Sequence, residues 1–220
     1  MTEQALVVLS GGQDSTTCLW WAIDRFGRES VETLTFDYGQ RHRIELRCAS
    51  AVADAAGVMQ TVLPINTFAA LGGNALTDAE VGVASADQGD LPSTFVPGRN
   101  LVFLTFAAAY CWPRGIRHIV TGVAQTDYSG YPDCREETLG ALTQALRLGM
   151  ERDFTIHTPL MNLTKRETVL LAKQLGAIDA MALTHTCYEG QQPPCGVCPA
   201  CILRAKGFAE AGIADPLLSA

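Results

Sequence analysis

Leu6-Val7-Val8-Leu9-Ser10-Gly11-Gly12-Gln13-Asp14-Ser15-Thr16-Thr17 is the stretch on which the reading of this chain turns. An apolar, β-branched run stops in a Ser-Gly-Gly turn and resumes as a helix. Adjacent glycines let the backbone turn tightly and bring its N–H groups to a ligand, while the helix that follows offers unpaired N–H groups and the positive end of its dipole. Phosphate is the natural guest. The ordinary nucleoside-triphosphate loop ends in Gly-Lys-Ser/Thr, whereas Asp14-Ser15 stands here, so the lysine that grips the outer phosphates is missing. The pattern points to an ATP-using enzyme that leaves pyrophosphate in this loop and uses the α-phosphate elsewhere. The competing reading is a plain strand-to-helix turn in which Asp14 and Ser15 merely cap the helix.

Outward from this loop, strand-like and helix-like segments alternate. Residues 5–9 read as a strand, 15–26 as a helix, 31–36 as a strand, and 43–56 as an Ala-rich helix stopped by Gly57. Residues 59–63 form the next strand and 100–111 the next helix. A strand over 116–121 ends in Gly122, and 136–150 carries Leu139, Leu142 and Leu146 at helical spacing. Thr164-Lys165-Arg166-Glu167 is a capping box opening a helix that ends at Gly176. Such alternation predicts an α/β fold, a doubly wound parallel sheet with ligands beyond the carboxyl ends of the strands. Two stretches break it. Residues 71–97, rich in Gly, Ala, Asp and Ser, read equally as a mobile lid beside the site or as a tolerated surface loop. From residue 184 onward a cysteine-rich appendage carries a short helix near 202–210, which divides the chain into an ATP-binding unit, 1–183, and an appendage, 184–220.

Composition narrows the function classes. The 220 residues can bury a substantial core, and 48% of them are hydrophobic. A formal net charge of −7 argues against a protein that holds extended nucleic acid by clustered basic residues. The first residues lack the pattern of a secretory signal, and no apolar run approaches the roughly 20 residues of a membrane span. A cytoplasmic homodimer is expected. In a reducing compartment eight cysteines do not read as a disulfide framework. Four of them, Cys187, Cys195, Cys198 and Cys201, are spaced Cys-x7-Cys-x2-Cys-x2-Cys, within reach of one ion. Soft sulfur ligands select zinc or an iron–sulfur cluster, and the knuckle residues Gly196 and Pro199 favour zinc. From spacing alone His185 competes with Cys187 as the first ligand. Four sulfurs leave no open coordination position, so the metal is structural.

Other segments supply candidate contacts. Asp37-Tyr38-Gly39-Gln40-Arg41-His42 follows the second strand at its carboxyl end, where Arg41 and His42 read either as phosphate contacts or as a solvated loop. Arg99 follows a Pro-Gly turn and precedes an apolar helix, so its guanidinium can meet a carboxylate or phosphate in bidentate fashion. Residues 126–135 combine two tyrosines, two aspartates and a cysteine. Aromatic faces stack on flat heterocycles, and a carboxylate accepts hydrogen bonds from a guanine-like N1–H and 2-amino edge. Cys134 reads as a nucleophile or as a small packed thiol, and Lys165 as a phosphate contact or, slightly favoured, a solvated first-turn lysine.

Ser10-Gly11-Gly12-Gln13-Asp14-Ser15 resembles the pyrophosphate loop of the N-type ATP pyrophosphatase superfamily. Together with Phe36–His42, Val96–Asn100, Asp127–Arg135 and the cysteine cluster, it resembles the 7-cyano-7-deazaguanine synthase family, from about residue 5 to Pro216. The resemblance implies an ATP-dependent ligase that adenylates 7-carboxy-7-deazaguanine, lets ammonia displace AMP to give the amide, and adenylates the amide to leave the nitrile. It also implies zinc on the four cysteines, with Cys187 rather than His185 as the first ligand, and no direct nucleic-acid or membrane partner. Ser10, Asp14 and Arg99 are the expected catalytic residues, and Asp14 is expected to help hold magnesium. Nucleotide contacts are expected over Leu9, Ser10, Gly11, Gly12, Gln13, Asp14, Ser15, Thr16, Thr17, Cys18 and Leu19. Substrate contacts are expected from Asp37, Tyr38, Gln40, Arg99, Asn100, Asp127, Tyr128, Tyr131 and Asp133.

Overall fold

The computed structural model describes residues 3–40, 43–65, 67–72, 74–77, 91–125 and 131–218. Its elements run β1 (Ala5–Val8), α1 (Gln13–Phe26), β2 (Val31–Asp37), α2 (Ile44–Ala56), β3 (Met59–Pro64), α3 (Thr67–Leu71), α4 (Arg99–Cys111), β4 (His118–Val120), α5 (Glu136–Met150), β5 (Thr155–His157), α6 (Lys165–Gln174) and α7 (Pro199–Ala211). The five strands pair in parallel in the order β3-β2-β1-β4-β5.

The apolar continuity of β1 follows from its central place, because helices cover both faces of the sheet there. Leu6 packs with Leu34, Leu104 of α4, and Leu139 and Leu146 of α5. Ala5, Val7 and Leu9 pack on the opposite face with Cys18 and Leu19 of α1 and Val52 of α2. Leu6, Val7, Leu9, Leu19 and Leu34 have no exposed surface, and burying each such side chain contributes roughly 1.5–3 kcal/mol relative to leaving it in water.

The chain leaves β1 toward β2 on one side, and β4 lies on the other, so a crevice opens between the carboxyl ends of β1 and β4. Two glycines permit the close approaches that shape it. Gly11 has φ 82°, and a Cβ there would lie 2.4 Å from the Glu45 carbonyl oxygen of α2. A Cβ on Gly122, just beyond β4, would lie 2.9 Å from the Ser15 nitrogen.

Several boundaries differ from the sequence reading for physical reasons. Helix α1 starts at Gln13 with Gly12 as its cap, ahead of Asp14 and Ser15. Helix α7 starts at Pro199, because Cys198 takes the cap position and proline suits the first helical turn. Strand β5 escaped the sequence reading; its three residues are all half-buried at the sheet edge and carry no alternation. The described ends of the 71–97 segment are anchored. Ala75 N–H donates to the Ser93 carbonyl at 2.8 Å, and Asn74, Ala75, Thr94 and Val96 are buried. Residues 78–90, on which the lid reading falls, lie outside the described residues.

The capping box forms at α6. Thr164 Oγ1 accepts from Glu167 N–H, and Glu167 Oε2 accepts from Thr164 N–H at 2.8 Å. Helix α7 packs on α6 through a shared core of Val169, Ala172, Ala177, Met181 and Phe208, which holds the C-terminal cysteine segment against the Ser10–Ser15 loop.

Candidate active site and metal centre

The crevice is a cavity of about 290 Å³ that runs from the Ser10–Ser15 loop to an aromatic end formed by Phe36, Tyr38, Phe103, Tyr131 and Tyr188. The loop is knitted by its own hydroxyls. Ser15 Oγ accepts from Ser10 N–H at 3.2 Å, lies 3.0 Å from Ser10 Oγ and donates to the Gly12 carbonyl at 3.1 Å. Thr16 Oγ1 donates to the same carbonyl at 2.9 Å. These bonds fix the turn while the Ser10 side chain faces the cleft.

Two polar atoms here are buried without a partner among the described residues, Gln13 Nε2 and Asp14 Oδ1. A buried donor or acceptor left unpaired costs about 1–3 kcal/mol. A donor and an acceptor orphaned on successive residues of this turn suit a phosphate oxygen and a hydrated magnesium ion. The other Asp14 oxygen accepts from Lys165 Nζ at 2.7 Å, and the Lys165 side chain is only 14% exposed. The first turn of α6 thus brings a lysine to the loop, where the sequence slightly favoured a solvated residue.

At the aromatic end, Arg99 Nη1 donates to the Tyr38 hydroxyl at 3.3 Å. Burial pushes the Tyr38 phenol up to about 12 against the pull of Arg99. Gln40 holds its loop, accepting from Tyr38 N–H at 2.9 Å. Tyr188 is hydrogen-bonded to Tyr131, and Phe36 stacks on Phe103 with centroids 4.3 Å apart. Glu45, on the first turn of α2, lines the same end. Burial raises its carboxyl to about 7, partly offset by Arg99. Sequence reasoning passed over Glu45, and the only available signal was its position four residues after the Tyr38-Gly39-Gln40-Arg41 turn.

The structure brings some expected contacts together and sets others apart. Leu9, Ser10, Gly12, Gln13, Asp14, Ser15, Tyr38, Gln40, Arg99, Asn100 and Tyr131 line the cleft. Gly11, Thr16, Thr17, Cys18 and Leu19 lie behind it, because the turn and α1 direct them into the core. Thr17 Oγ1 donates to the Gln13 carbonyl at 3.0 Å, and Cys18 and Leu19 have no exposed surface. Asp37 pairs with Arg43 outside the lining. Asp133 is buried and accepts from Asn100 N–H at 3.0 Å, which caps α4. Cys134 accepts from Asn100 Nδ2 at 3.2 Å, and burial pushes its thiol up to about 12, so it packs as a protonated thiol. Arg41, His42, Asp127 and Tyr128 lie outside the described residues.

The sulfurs of Cys187, Cys195, Cys198 and Cys201 all lie within 4.8 Å of one another, and Cys195 and Cys201 are 3.9 Å apart. A zinc ion at about 2.3 Å from each of four tetrahedral thiolates spaces them close to this. Backbone N–H groups of Val197 and Cys198 hold the Cys195 thiol down to about 7, which favours the ligating thiolate. His185 is not in this group. Its Nε2 donates to the Cys187 carbonyl at 3.2 Å, and its N–H donates to the Gly11 carbonyl at 2.9 Å. The cysteine segment therefore touches the underside of the Ser10–Ser15 loop.

Comparison with known proteins shows the family. The family described as Queuosine biosynthesis protein QueC matches residues 4–212. The chain is 68% identical to the 7-cyano-7-deazaguanine synthase of Chromobacterium violaceum, over 98% of this chain and 93% of that one. It is 66% identical to the enzyme of the same name from Laribacter hongkongensis, over 99% and 95%. A third, from a Bradyrhizobium species, is 52% identical over 94% and 93%. Among solved structures, the U34-tRNA thiolase NcsA from Methanococcus maripaludis, determined with its [4Fe-4S] cluster, superposes with a TM-score of 0.51 at 14% identity, covering 94% of this chain and 65% of that one. A predicted tRNA methyltransferase subunit from Methanocaldococcus jannaschii gives 0.51 at 16% identity, over 78% and 74%. These last two share the fold.

Proposed function

The chain belongs to the QueC family of queuosine biosynthesis proteins, and from that membership we propose that it is an ATP-dependent carbon–nitrogen ligase converting 7-carboxy-7-deazaguanine and ammonia to 7-cyano-7-deazaguanine. The observation that carries the reading is the single cleft with an anion loop at one end and aromatic walls, Arg99 and Glu45 at the other. One end suits pyrophosphate and the other a flat, hydrogen-bonding heterocycle. The substrate carboxylate attacks the α-phosphorus of ATP, giving an acyl adenylate and pyrophosphate. Ammonia displaces AMP, and the amide forms as a proton is lost. The amide oxygen attacks the α-phosphorus of a second ATP and releases pyrophosphate, and departure of AMP with loss of both N–H protons leaves the nitrile.

In this scheme Ser10, Gly12, Ser15 and Lys165 receive pyrophosphate, and Asp14 and Gln13 supply the orphaned polar atoms for magnesium and phosphate. Pre-set donors aimed at developing negative charge lower the barrier without reorganising during the reaction. Arg99 offers its guanidinium to the carboxylate and screens it from the α-phosphate. The four cysteines would hold zinc, which supplies folding energy rather than an open catalytic position. The short sulfur separations favour one ion over a cluster, which spreads its thiolates wider. Residues 184–220 then serve as a metal-fixed appendage of the ATP-binding unit, 1–183. No helix among the described residues is long and apolar enough to cross a membrane. Exposed Met59 and Val62 on edge strand β3 suit a homodimer contact.

Product analysis tests the reaction. The carboxylate, ammonia and ATP should yield AMP and pyrophosphate with a transient 7-amido-7-deazaguanine, and the amide supplied directly should still require ATP. Nitrile formation with ADP and orthophosphate as the only nucleotide products would overturn it.

A further inference from the structure

A guanine-like base presents N1–H and a 2-amino group side by side, and a carboxylate that accepts from both is the group that reads this edge best. Asp133 was the described candidate from sequence, but its carboxylate is turned away to cap α4 through Asn100. Among the described residues two carboxylates line the cleft, Asp14 and Glu45. Asp14 is at the anion loop and paired with Lys165. Glu45 lines the aromatic end, and among the described residues its carboxylate has no hydrogen-bonding partner. Resting on the substrate reading above, we infer that Glu45 is the specificity-determining residue that accepts hydrogen bonds from N1–H and the 2-amino group of the deazaguanine.

The surroundings of Glu45 agree with that role. Arg99 of α4 faces it, as do Tyr38 beyond β2 and Tyr188 of the cysteine segment, with Cys48 on its own helix. Tyr38, Phe103 and Tyr188 supply flat walls for the ring system. Arg99 lies close enough to shift the Glu45 carboxyl and can serve an acceptor on the same base or its 7-carboxylate. Adenine does not compete for this carboxylate, since its N1 carries a lone pair that a carboxylate repels. Two hydrogen bonds to one ionised group in a water-poor site discriminate strongly, because an analogue that lacks one donor leaves the carboxylate under-satisfied. Burial holds the carboxyl near 7 in the open cleft, so the substrate, which needs the ionised form, binds more weakly as the pH falls below that value.

The test is calorimetric binding to the zinc-loaded full chain at pH 8, comparing 7-carboxy-7-deazaguanine with the same molecule lacking the 2-amino group. Wild type should prefer the 2-amino compound by roughly ten- to a hundredfold, and Glu45→Gln should lose most of that preference while keeping ATP affinity and metal content. The preference of wild type should also weaken from pH 8 to pH 6, and that of Glu45→Gln should not. Retention of the full preference by Glu45→Gln overturns the assignment, including the case in which the variant loses only turnover, which would make Glu45 a proton acceptor instead. Failure of wild type to bind either compound is a different result, and it overturns the substrate reading itself.

Discussion

Arg204 of α7 makes five side-chain hydrogen bonds among the described residues, and its replacement should be costly in a calculable way. Its guanidinium grips Asp215 through two bonds, of 2.6 and 2.8 Å, and donates to Thr184 Oγ1 at 2.7 Å, Thr186 Oγ1 at 3.0 Å and the Met181 carbonyl at 3.1 Å. Both charged side chains are almost fully buried, 5% and 6% exposed. Removing one member of such a pair leaves an uncompensated charge in a dry site, which costs about 3–5 kcal/mol. For a chain of this length, each kcal/mol lowers Tm by roughly 2–4 °C, so Arg204→Met should lose roughly 6–20 °C. Thermal and urea unfolding in saturating zinc would measure it. Arg204→Met with Asp215→Leu should recover most of the loss, because the stranded carboxylate goes too. The Thr184–Thr186 bonds also position His185, whose N–H meets the Gly11 carbonyl at 2.9 Å, so the single variant should bind ATP more weakly. A loss below about 1 kcal/mol, or a double variant no more stable than the single, would refute this reasoning.

Cys198→Ser should lower both metal content and folded yield, and a well-folded variant with a full zinc complement by elemental analysis would remove Cys198 from the ligand set. Asp14→Ala and Ser10→Ala should depress steady-state turnover far more than Tm, while Lys165→Met, which strands Asp14, should do the same and weaken ATP binding; unchanged rates in all three would count against the loop assignment. Burial first, then the nearby charges of His118 and Arg25 opposed by Glu3, lower His157 from its ordinary 6.5 to about 4. The unfolded chain therefore binds this proton first, and stability that is full above about 6.5 should fall as the pH drops toward 4. His157→Asn should flatten that part of a urea-midpoint profile against pH, and an unchanged slope would exclude His157 as its source.

The sequence disclosed what depends on local rules. The break from β1 into Gly11-Gly12, the Thr164–Glu167 capping box and the four-cysteine spacing each carry their meaning within a dozen residues, and each appears in the structure as read. Helix α7 shifted by three residues because a capping cysteine and a first-turn proline are themselves part of the metal loop. Strand β5 was hidden because a short edge strand carries neither the buried run of β1 nor an alternating face.

Side chains whose work depends on where a distant element lands were not legible. Asp133 and Glu45 are chemically alike, and nothing local says that one will cap α4 while the other faces the cleft. That division follows from tertiary placement, with Asn100 N–H brought within 3.0 Å of Asp133 and Gly11 packed onto the Glu45 carbonyl at the start of α2. Lys165 shows the same limit. It sits in a polar first turn and reads as solvated, yet the packing of α6 beside α1 brings it to Asp14 across 151 residues. The capping-box lysine is therefore the cation that meets the carboxylate of the Ser10–Ser15 loop. A loop that draws its cation from another helix also depends on that helix remaining docked, and α6 is docked in part by α7 and the cysteine segment behind it. The cysteine cluster can thereby influence the Ser10–Ser15 loop without contributing an atom to it.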